Sequence, residues 1–375
     1  MVKRVLSITA VLVAMAGPPL LAQEPKSSAP AKDAKTEMPK PNLSGFLQVD
    51  YRRGDDAGRA SVVAHELLLR RARLTVSGKG PERFNYSTTI QMEGSTAALL
   101  DAYIDYTVNP MARLRAGQYK YDFDLVGRES SASLALIDRP FAANSVAGSL
   151  NGASTASTTT SNFRDRGVTL FGDATKSPIP WGYSVGLFQG AGRTSDNNDS
   201  FAYVANLRAY PIRSVRLNAG FLSSDAAPKG DLRTNRYEAW TGGVSYQHEM
   251  ATLTAEYYSG ERDRGSVEQS VHGYYISASY TPIPRMDVSG RYQSIEDDRF
   301  ASGSASANSV DIGVRWYFAR QGVRSGTHVS LNYMARSADD GFTEGLTVLN
   351  DGKGSALTDG NLVKDVVALR FQVQF

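Results

Sequence analysis

Arginine is the residue best placed to do chemistry in this chain. Arg71, Arg73, Arg113, Arg115, Arg208, Arg216, Arg291, Arg315 and Arg370 lie in segments that alternate apolar and polar residues, and all fall on the polar parity. Asp50, Glu93, Asp101, Asp105, Glu256, Asp287 and Asp311 share it. Successive strand side chains point to opposite faces, so these charges would line one side of a sheet. A guanidinium offers oxyanions a planar fork of donors and stays charged at any working pH. A row of such groups can pass an anion along by exchanging hydrogen bonds, provided that each site is weak enough to leave. The same row can instead pair with carboxylates across strands as a structural lattice. Arg113 and Arg115, for example, stand beside a segment carrying Asp101 and Asp105.

Other chemistries find little support. The histidines, His65, His248, His272 and His328, lack metal-ligand spacing. There is no nucleophile elbow and no phosphate-cradling glycine loop. His65 beside Glu66 is the nearest approach to a hydrolytic pair. Asp196-Asn-Asn-Asp199 reads as a polar loop tip rather than a calcium site. The chain has no cysteine, which excludes disulfides, thiolate zinc, a cysteine nucleophile and an N-terminal lipid anchor. The expectation is a protein that is not an enzyme, with no metal and no cofactor. A formal net charge of +3 gives no bulk attraction to nucleic acid.

The elements that must position the arginines are strands. In the closing stretch, Val367, Leu369, Phe371, Val373 and Phe375 take one parity, and Ala368, Arg370, Gln372 and Gln374 the other. A membrane barrel strand needs apolar residues toward lipid, polar residues toward a lumen and an aromatic at the interface. Sixteen such segments are expected, near 45–53, 65–78, 83–93, 99–108, 111–120, 164–172, 181–189, 201–210, 213–223, 235–248, 251–261, 270–281, 285–295, 308–319, 326–337 and 362–375. Short connections such as Asn109-Pro110 and His248-Glu-Met250 alternate with long polar ones at 54–64, 121–163, 190–200, 224–234, 262–269, 296–307 and 338–361. This is the rhythm of short periplasmic turns and long extracellular loops in outer-membrane barrels. Leu74, Val76, Tyr86, Ile90, Ile104, Tyr106, Leu114, Val185, Leu207, Phe221, Val244, Val314, Trp316 and Tyr333 are expected to face outward. An arginine on the lipid face near mid-membrane would cost about 2–4 kcal/mol, which favours the lumen for the opposite parity.

The chain opens with Lys3 and Arg4, an apolar run from Val5 to Ala16, and small residues up to Ala22. That run is too short to span a bilayer and is ended by Pro18 and Pro19. Residues 1–22 are expected to be a signal peptide for export. Residues 23–42, with Pro25, Pro30, Pro39 and Pro41 among Lys, Ala and Ser, read as a disordered linker. Residues 43–375 then form one barrel domain. The second of these long connections, 121–163, is by far the longest, and its apolar Leu134, Leu136, Ile137 and Phe141 need a wall to pack on. It is expected to fold into the lumen rather than lie on the surface.

Tyr51, Leu69-Arg-Arg-Ala-Arg-Leu74, Asp101-Ala-Tyr-Ile-Asp-Tyr106 and Leu114-Arg-Ala-Gly-Gln-Tyr-Lys120 resemble the phosphate-selective porin O and P family. So do Ile137-Asp-Arg-Pro140, Arg164-Asp-Arg-Gly-Val168, Gly186-Leu-Phe-Gln-Gly190 and Ala368-Leu-Arg-Phe-Gln-Val-Gln-Phe375, in the family's order. The resemblance implies a sixteen-stranded barrel, usually trimeric, with the third loop in the lumen and an arginine-rich anion pathway. Arg71, Arg73, Arg113, Arg115 and Arg139 sit in the matching motifs. Asp122 and Asp124, near the mouth of the constriction loop, work against strict phosphate selectivity.

Three functions fit this reading. The leading one is an outer-membrane porin for passive diffusion of small anions, phosphate or polyphosphate, as a homotrimer inserted by the barrel-assembly machinery through Phe375. The second is a general, weakly selective porin of the same fold. The third is a non-transport barrel plugged by the long loop.

Overall fold

A computed structural model describes residues 39–54, 65–93, 96–148, 150, 163–193, 200–225, 235–263, 268–300, 303–338 and 365–375. The expected signal peptide, residues 23–38 of the linker, the Asp196–Asp199 tip and most of 338–361 lie outside these residues.

Alternating sequence becomes strand throughout. The first eight strands are β1 (Asn42–Gly54), β2 (His65–Lys79), β3 (Phe84–Gln91), β4 (Ala98–Asn109), β5 (Ala112–Lys120), β6 (Arg164–Ala174), β7 (Trp181–Phe188) and β8 (Ala202–Ile212). The rest are β9 (Val215–Asp225), β10 (Arg236–Gln247), β11 (Ala251–Asp263), β12 (Glu268–Ile283), β13 (Met286–Phe300), β14 (Gly303–Gly322), β15 (Ser325–Ala338) and β16 (Asp365–Gln374). One short helix, α1 (Phe141–Ala147), interrupts the connection between β5 and β6.

Each strand pairs antiparallel with its sequence neighbours, and β16 pairs back onto β1 to close the barrel. Phe46 lies opposite Gln374 and Gly54 opposite Val366. The Gly45 N–H donates to the Phe375 carbonyl at 2.9 Å, so pairing runs to the last residue. Closure removes the unpaired edges that hydrocarbon would not satisfy.

The two faces separate as the alternation requires. On β16, Phe371 is 53% exposed and Arg370 only 2%. The same contrast holds around the ring: Val185, Leu207, Phe221, Val314 and Trp316 are exposed, whereas Asn206, Asn218, Arg291, Asp311 and Arg315 are buried on the other face. Leu74, Tyr86 and Tyr106, also expected outside, are half-buried.

Two local features depart from expectation. The connection 296–307 is largely strand, because β13 and β14 continue to a tight hairpin with Phe300 opposite Gly303. Ile295, opposite Ala307, carries the buried parity into that extension. The inner face is also not uniformly polar. Phe188, Val204, Leu222, Tyr237, Tyr258, Val271, Tyr275 and Ile295 are buried with Tyr121, Phe123, Val126, Leu134, Phe141, Val146 and Leu150 of the 121–163 connection in one apolar cluster. Each such side chain contributes roughly 1.5–3 kcal/mol when fully buried, so this connection has a core of its own.

Candidate functional site

The inner-face side chains of nine strands hold the main chain of the first half of this connection. The Phe123 carbonyl accepts from Asn206 on β8 and Asn218 on β9, at 2.8 and 3.3 Å. The Leu125 N–H donates to Glu256 on β11 at 3.0 Å. The Leu134 carbonyl accepts from Arg315 on β14 at 2.5 Å, and the Ile137 N–H donates to Asn332 on β15 at 2.7 Å. Gln372 on β16 donates to the Ala132 carbonyl, and Gln48 on β1 to the Ser131 carbonyl, both at 3.1 Å. The Phe141 N–H donates to Gln293 on β13 at 2.7 Å, and Tyr237 on β10 donates to the Val146 carbonyl at 2.9 Å. Close approach needs missing side chains. A Cβ at Gly220 of β9 would sit 2.0 Å from the Phe123 carbonyl oxygen, and one at Gly273 of β12 would sit 2.7 Å from the Ala142 Cβ.

Where this segment meets β1, β2 and β5, four cations gather. Arg71 donates to Gln48 Oε1 at 2.9 Å. Arg73 donates to Gln91 Oε1 at 2.7 and 3.0 Å and reaches Ser131 Oγ at 3.5 Å. Arg139 donates to the same Ser131 Oγ at 3.4 Å and to the Glu129 carbonyl at 2.5 Å. Lys120 Nζ donates to that carbonyl too, at 2.8 Å, and to the Gly127 carbonyl at 2.9 Å. Every acceptor is neutral. None of the four makes an ion pair among the described residues, and Arg71, Arg73 and Arg139 are each below 9% exposed. Burial, reinforced by the charges of Arg164 and Arg70 and opposed by Glu129, pulls the Arg139 guanidinium down to about 10.

Elsewhere on the inner face most of the expected arginines are paired with carboxylates, Arg216 and Arg315 excepted. Arg370 grips Asp50 through two bonds of 2.6 and 2.7 Å, and Arg52 joins Asp50 at 2.8 Å and Asp138 at 3.0 Å. Burial raises Asp138, but Arg52, with Arg70 and Arg370 close by, holds it well below the usual carboxylate range. Arg291 binds Asp311 at 2.6 and 2.9 Å. Arg115 takes Asp105 in a fork of two 2.7 Å bonds, with its guanidinium 3.9 Å from the Tyr103 ring centroid. Arg113 pairs with Asp173 on the other neighbouring strand, not with Asp101, which belongs to Arg164. Arg208 bridges Asp173 and Asp122 at 2.6 and 3.0 Å. Arg315 donates to the carbonyls of Leu134 and Arg324, and Arg216 to Asn218 Oδ1.

A cavity of about 670 Å³ lies between the segment and the β8–β13 wall. Arg208, Arg216 and Arg291 line it, together with Arg128, Arg213 and Arg324. A second space of about 820 Å³ shares Arg213, Ser214, Gln247, Thr252 and Arg324 with the first and reaches the short turns. Nine of the ten expected arginines therefore divide between an unpaired cluster, a paired lattice and the cavity wall, and Arg315 instead holds the Leu134 and Arg324 carbonyls.

Lys120 and Arg52 escaped the reading of the sequence. Arg52 shares the parity of Gln48 and Asp50, a signal that was there to use. Lys120 joins the cluster through the Gly127 and Glu129 carbonyls of the folded segment, which no strand periodicity encodes. Asp122 and Asp124 bring less free charge than expected. Asp122 is paired with Arg128 and Arg208, and burial pushes Asp124 up to about 6, against the Gly127 N–H and Tyr258.

Comparison with known proteins agrees with this architecture. No curated protein matches the chain. An anion-selective porin from Comamonas acidovorans superposes with a TM-score of 0.63 at 15% identity, covering 90% of this chain and 99% of that one. A trimer form of OmpT, an outer-membrane protein of Vibrio cholerae, gives 0.62 at 11% identity over 90% and 99% of the two chains. A variant of the Rh. blastica porin gives 0.52 at 12% identity over 90% and 100%. The family model "Phosphate-selective porin O and P" matches residues 42–219, which run from β1 into β9 and include the unpaired cluster. Over residues 42–219 the chain is thus similar to the phosphate-selective porin O and P family, and its closed sixteen-stranded barrel is the fold of an outer-membrane porin.

Proposed function

We propose that this porin passes small anions, with Arg71, Arg73, Lys120 and Arg139 as the group that binds them in transit. The carrying observation is that these four cations share neutral acceptors and no carboxylate. Removing an ion from water costs several kcal/mol unless a counter-charge is near, so the cluster favours an anion among the four. The segment from Tyr121 to Leu150 is the constriction in this reading. Its hydrogen bonds to side chains of nine strands support that reading. Arg213 and Arg216, which make no ion pair among the described residues, would carry anions between the cluster and the short-turn mouth. The fold and family favour a channel over an enzyme. We further propose export by the N-terminal signal peptide, insertion by the barrel-assembly machinery through Phe375, and a homotrimer in the lipid bilayer.

The test is the reversal potential of the purified protein in a planar bilayer under a salt gradient, with phosphate then titrated into chloride. Anion selectivity with block at low phosphate supports the reading. Neutral or cationic selectivity without block would make this a general porin, and no conductance would make it a plugged barrel.

A further inference from the structure

The beginning of the segment is fixed to the wall by a group that the anion pathway does not use. Asp124 and Glu256 are 1% and 3% exposed, and Tyr258 is fully buried between them. The Tyr258 hydroxyl lies 2.7 Å from Glu256 Oε2 and 3.0 Å from Asp124 Oδ2. Tyr275 donates to the same Glu256 oxygen at 3.1 Å. Glu256 Oε1 accepts from the Leu125 N–H and from Thr241 Oγ1, at 3.0 and 3.2 Å. Asp124 Oδ1 accepts from the Gly127 N–H at 2.7 Å.

A phenol has one hydrogen to donate. Tyr258 can therefore donate to only one of its two carboxyl neighbours. The other contact is a hydrogen bond only if that carboxyl itself carries a proton and Tyr258 accepts it. With both carboxyls ionised, one of the two contacts becomes lone pair against lone pair, in a buried site where such repulsion is strong. The groups facing the pair do not relieve this. Neither carboxyl makes an ion pair among the described residues. Arg139, whose charge acts on Asp124, is tied to the Val126 and Glu129 carbonyls. Asp122 and Glu129 add negative charge around Asp124 and Tyr275, and the remaining neighbours, Tyr121 and Tyr237, are neutral phenols.

We infer that Asp124, Tyr258 and Glu256 share one proton that latches the start of the segment to β11, and that loss of this proton releases the segment. The device lies outside the unpaired cluster. It bears on conductance only through the reading of this chain as a porin whose segment narrows the pore.

The direction in pH follows. Burial pushes Asp124 from 3.8 up to about 6. An acid raised in the folded state contributes stability that is fully present below its unfolded value and is lost as pH rises through the folded value. The latch is therefore closed on the acid side and opens as pH rises above the ordinary carboxylate range.

The experiment uses the full-length protein in bilayers at about pH 5 and about pH 9, on either side of the shifted carboxyl. The same comparison is made on Glu256→Gln and, separately, on Asp124→Asn. A glutamine amide donates to the Tyr258 hydroxyl, which then donates to Asp124, so it mimics the protonated pair permanently. In parallel, spin labels at Ser130→Cys and Lys176→Cys report the distance from the segment to the β6–β7 turn. The cysteine-free background makes that labelling specific. Wild type should show higher, noisier conductance and a broadened distance distribution at alkaline pH, and both amide variants should stay in the acid form. Equal pH responses in wild type and both variants, or no change in the wild-type distances, would overturn the latch. Absent conductance alongside a pH-dependent distance would sink the porin reading and leave the latch standing.

Discussion

The unpaired cluster and the paired lattice are built from the same residue type and differ in their partners. On β13 to β16 and β1, the guanidiniums of Arg291, Arg370 and Arg52 are saturated by Asp311, Asp50 and Asp138. Around β2 and the segment, Arg71, Arg73 and Arg139 end on amide, hydroxyl and carbonyl oxygens. A saturated fork is committed to the fold. An unsaturated one is destabilising alone and gains from any oxyanion that arrives. Parity and charge put both groups on one face; only the carboxylate count nearby separates a girder from a binding site.

The largest effect should come from breaking the lattice. Asp311→Ala strands Arg291, Gln293 and Ser309, all of which donate to that carboxylate. Removing one partner of a buried ion pair costs about 3–5 kcal/mol. The barrel should unfold at clearly lower denaturant, read by the loss of its heat-modifiable mobility on gels. Stability equal to wild type would mean that the lattice is not structural.

Arg71→Ala should do the reverse. Relieving like-charge crowding should leave denaturant resistance unchanged or raise it. The phosphate concentration for half-block should rise, because a charge-assisted hydrogen bond is worth about 1.5–3 kcal/mol, roughly tenfold or more in affinity. Unchanged block with an intact barrel would remove Arg71 from the pathway.

Between these lies the fit of the segment. Gly220→Val would drive a methyl-bearing carbon into the Phe123 carbonyl, and overpacking of this kind costs about 1–3 kcal/mol. The segment should shift and single-channel conductance should rise, with selectivity reduced but not lost. Identical conductance would show that the segment does not set the pore width.

The sequence made the strand count and the faces legible, because a period of two is written in residues such as Val367 to Phe375. It made the presence of inward arginines legible for the same reason. It did not reveal which were paired. Arg113 finds Asp173 on β6 rather than Asp101 on β4, and that depends on register, which periodicity alone leaves free. The apolar inner patch at Phe188, Leu222 and Ile295 was also hidden. A residue apolar on both parities reads as noise until the segment that covers it is in place. The role of Lys120 depends on the Glu129 carbonyl, a main-chain group with no side-chain signature.

Arg115 gives the smallest expected effect and the sharpest control, since family resemblance groups it with Arg71. Its fork to Asp105 is partly open to solvent, with side-chain exposures of 19% and 17%. Partly exposed ion pairs contribute about 0.2–1 kcal/mol, so Arg115→Ala should barely alter denaturant resistance. Its donors are already taken by Asp105 and its face is turned to Tyr103, so little of it is free for a passing anion. Deleting it should move the phosphate half-block by less than about fivefold, the equivalent of 1 kcal/mol, well short of the shift at Arg71. Equal shifts at the two positions would mean that a passing anion competes successfully with Asp105. Pairing would then not separate lattice from pathway, and every inward arginine would count as part of one continuous anion route.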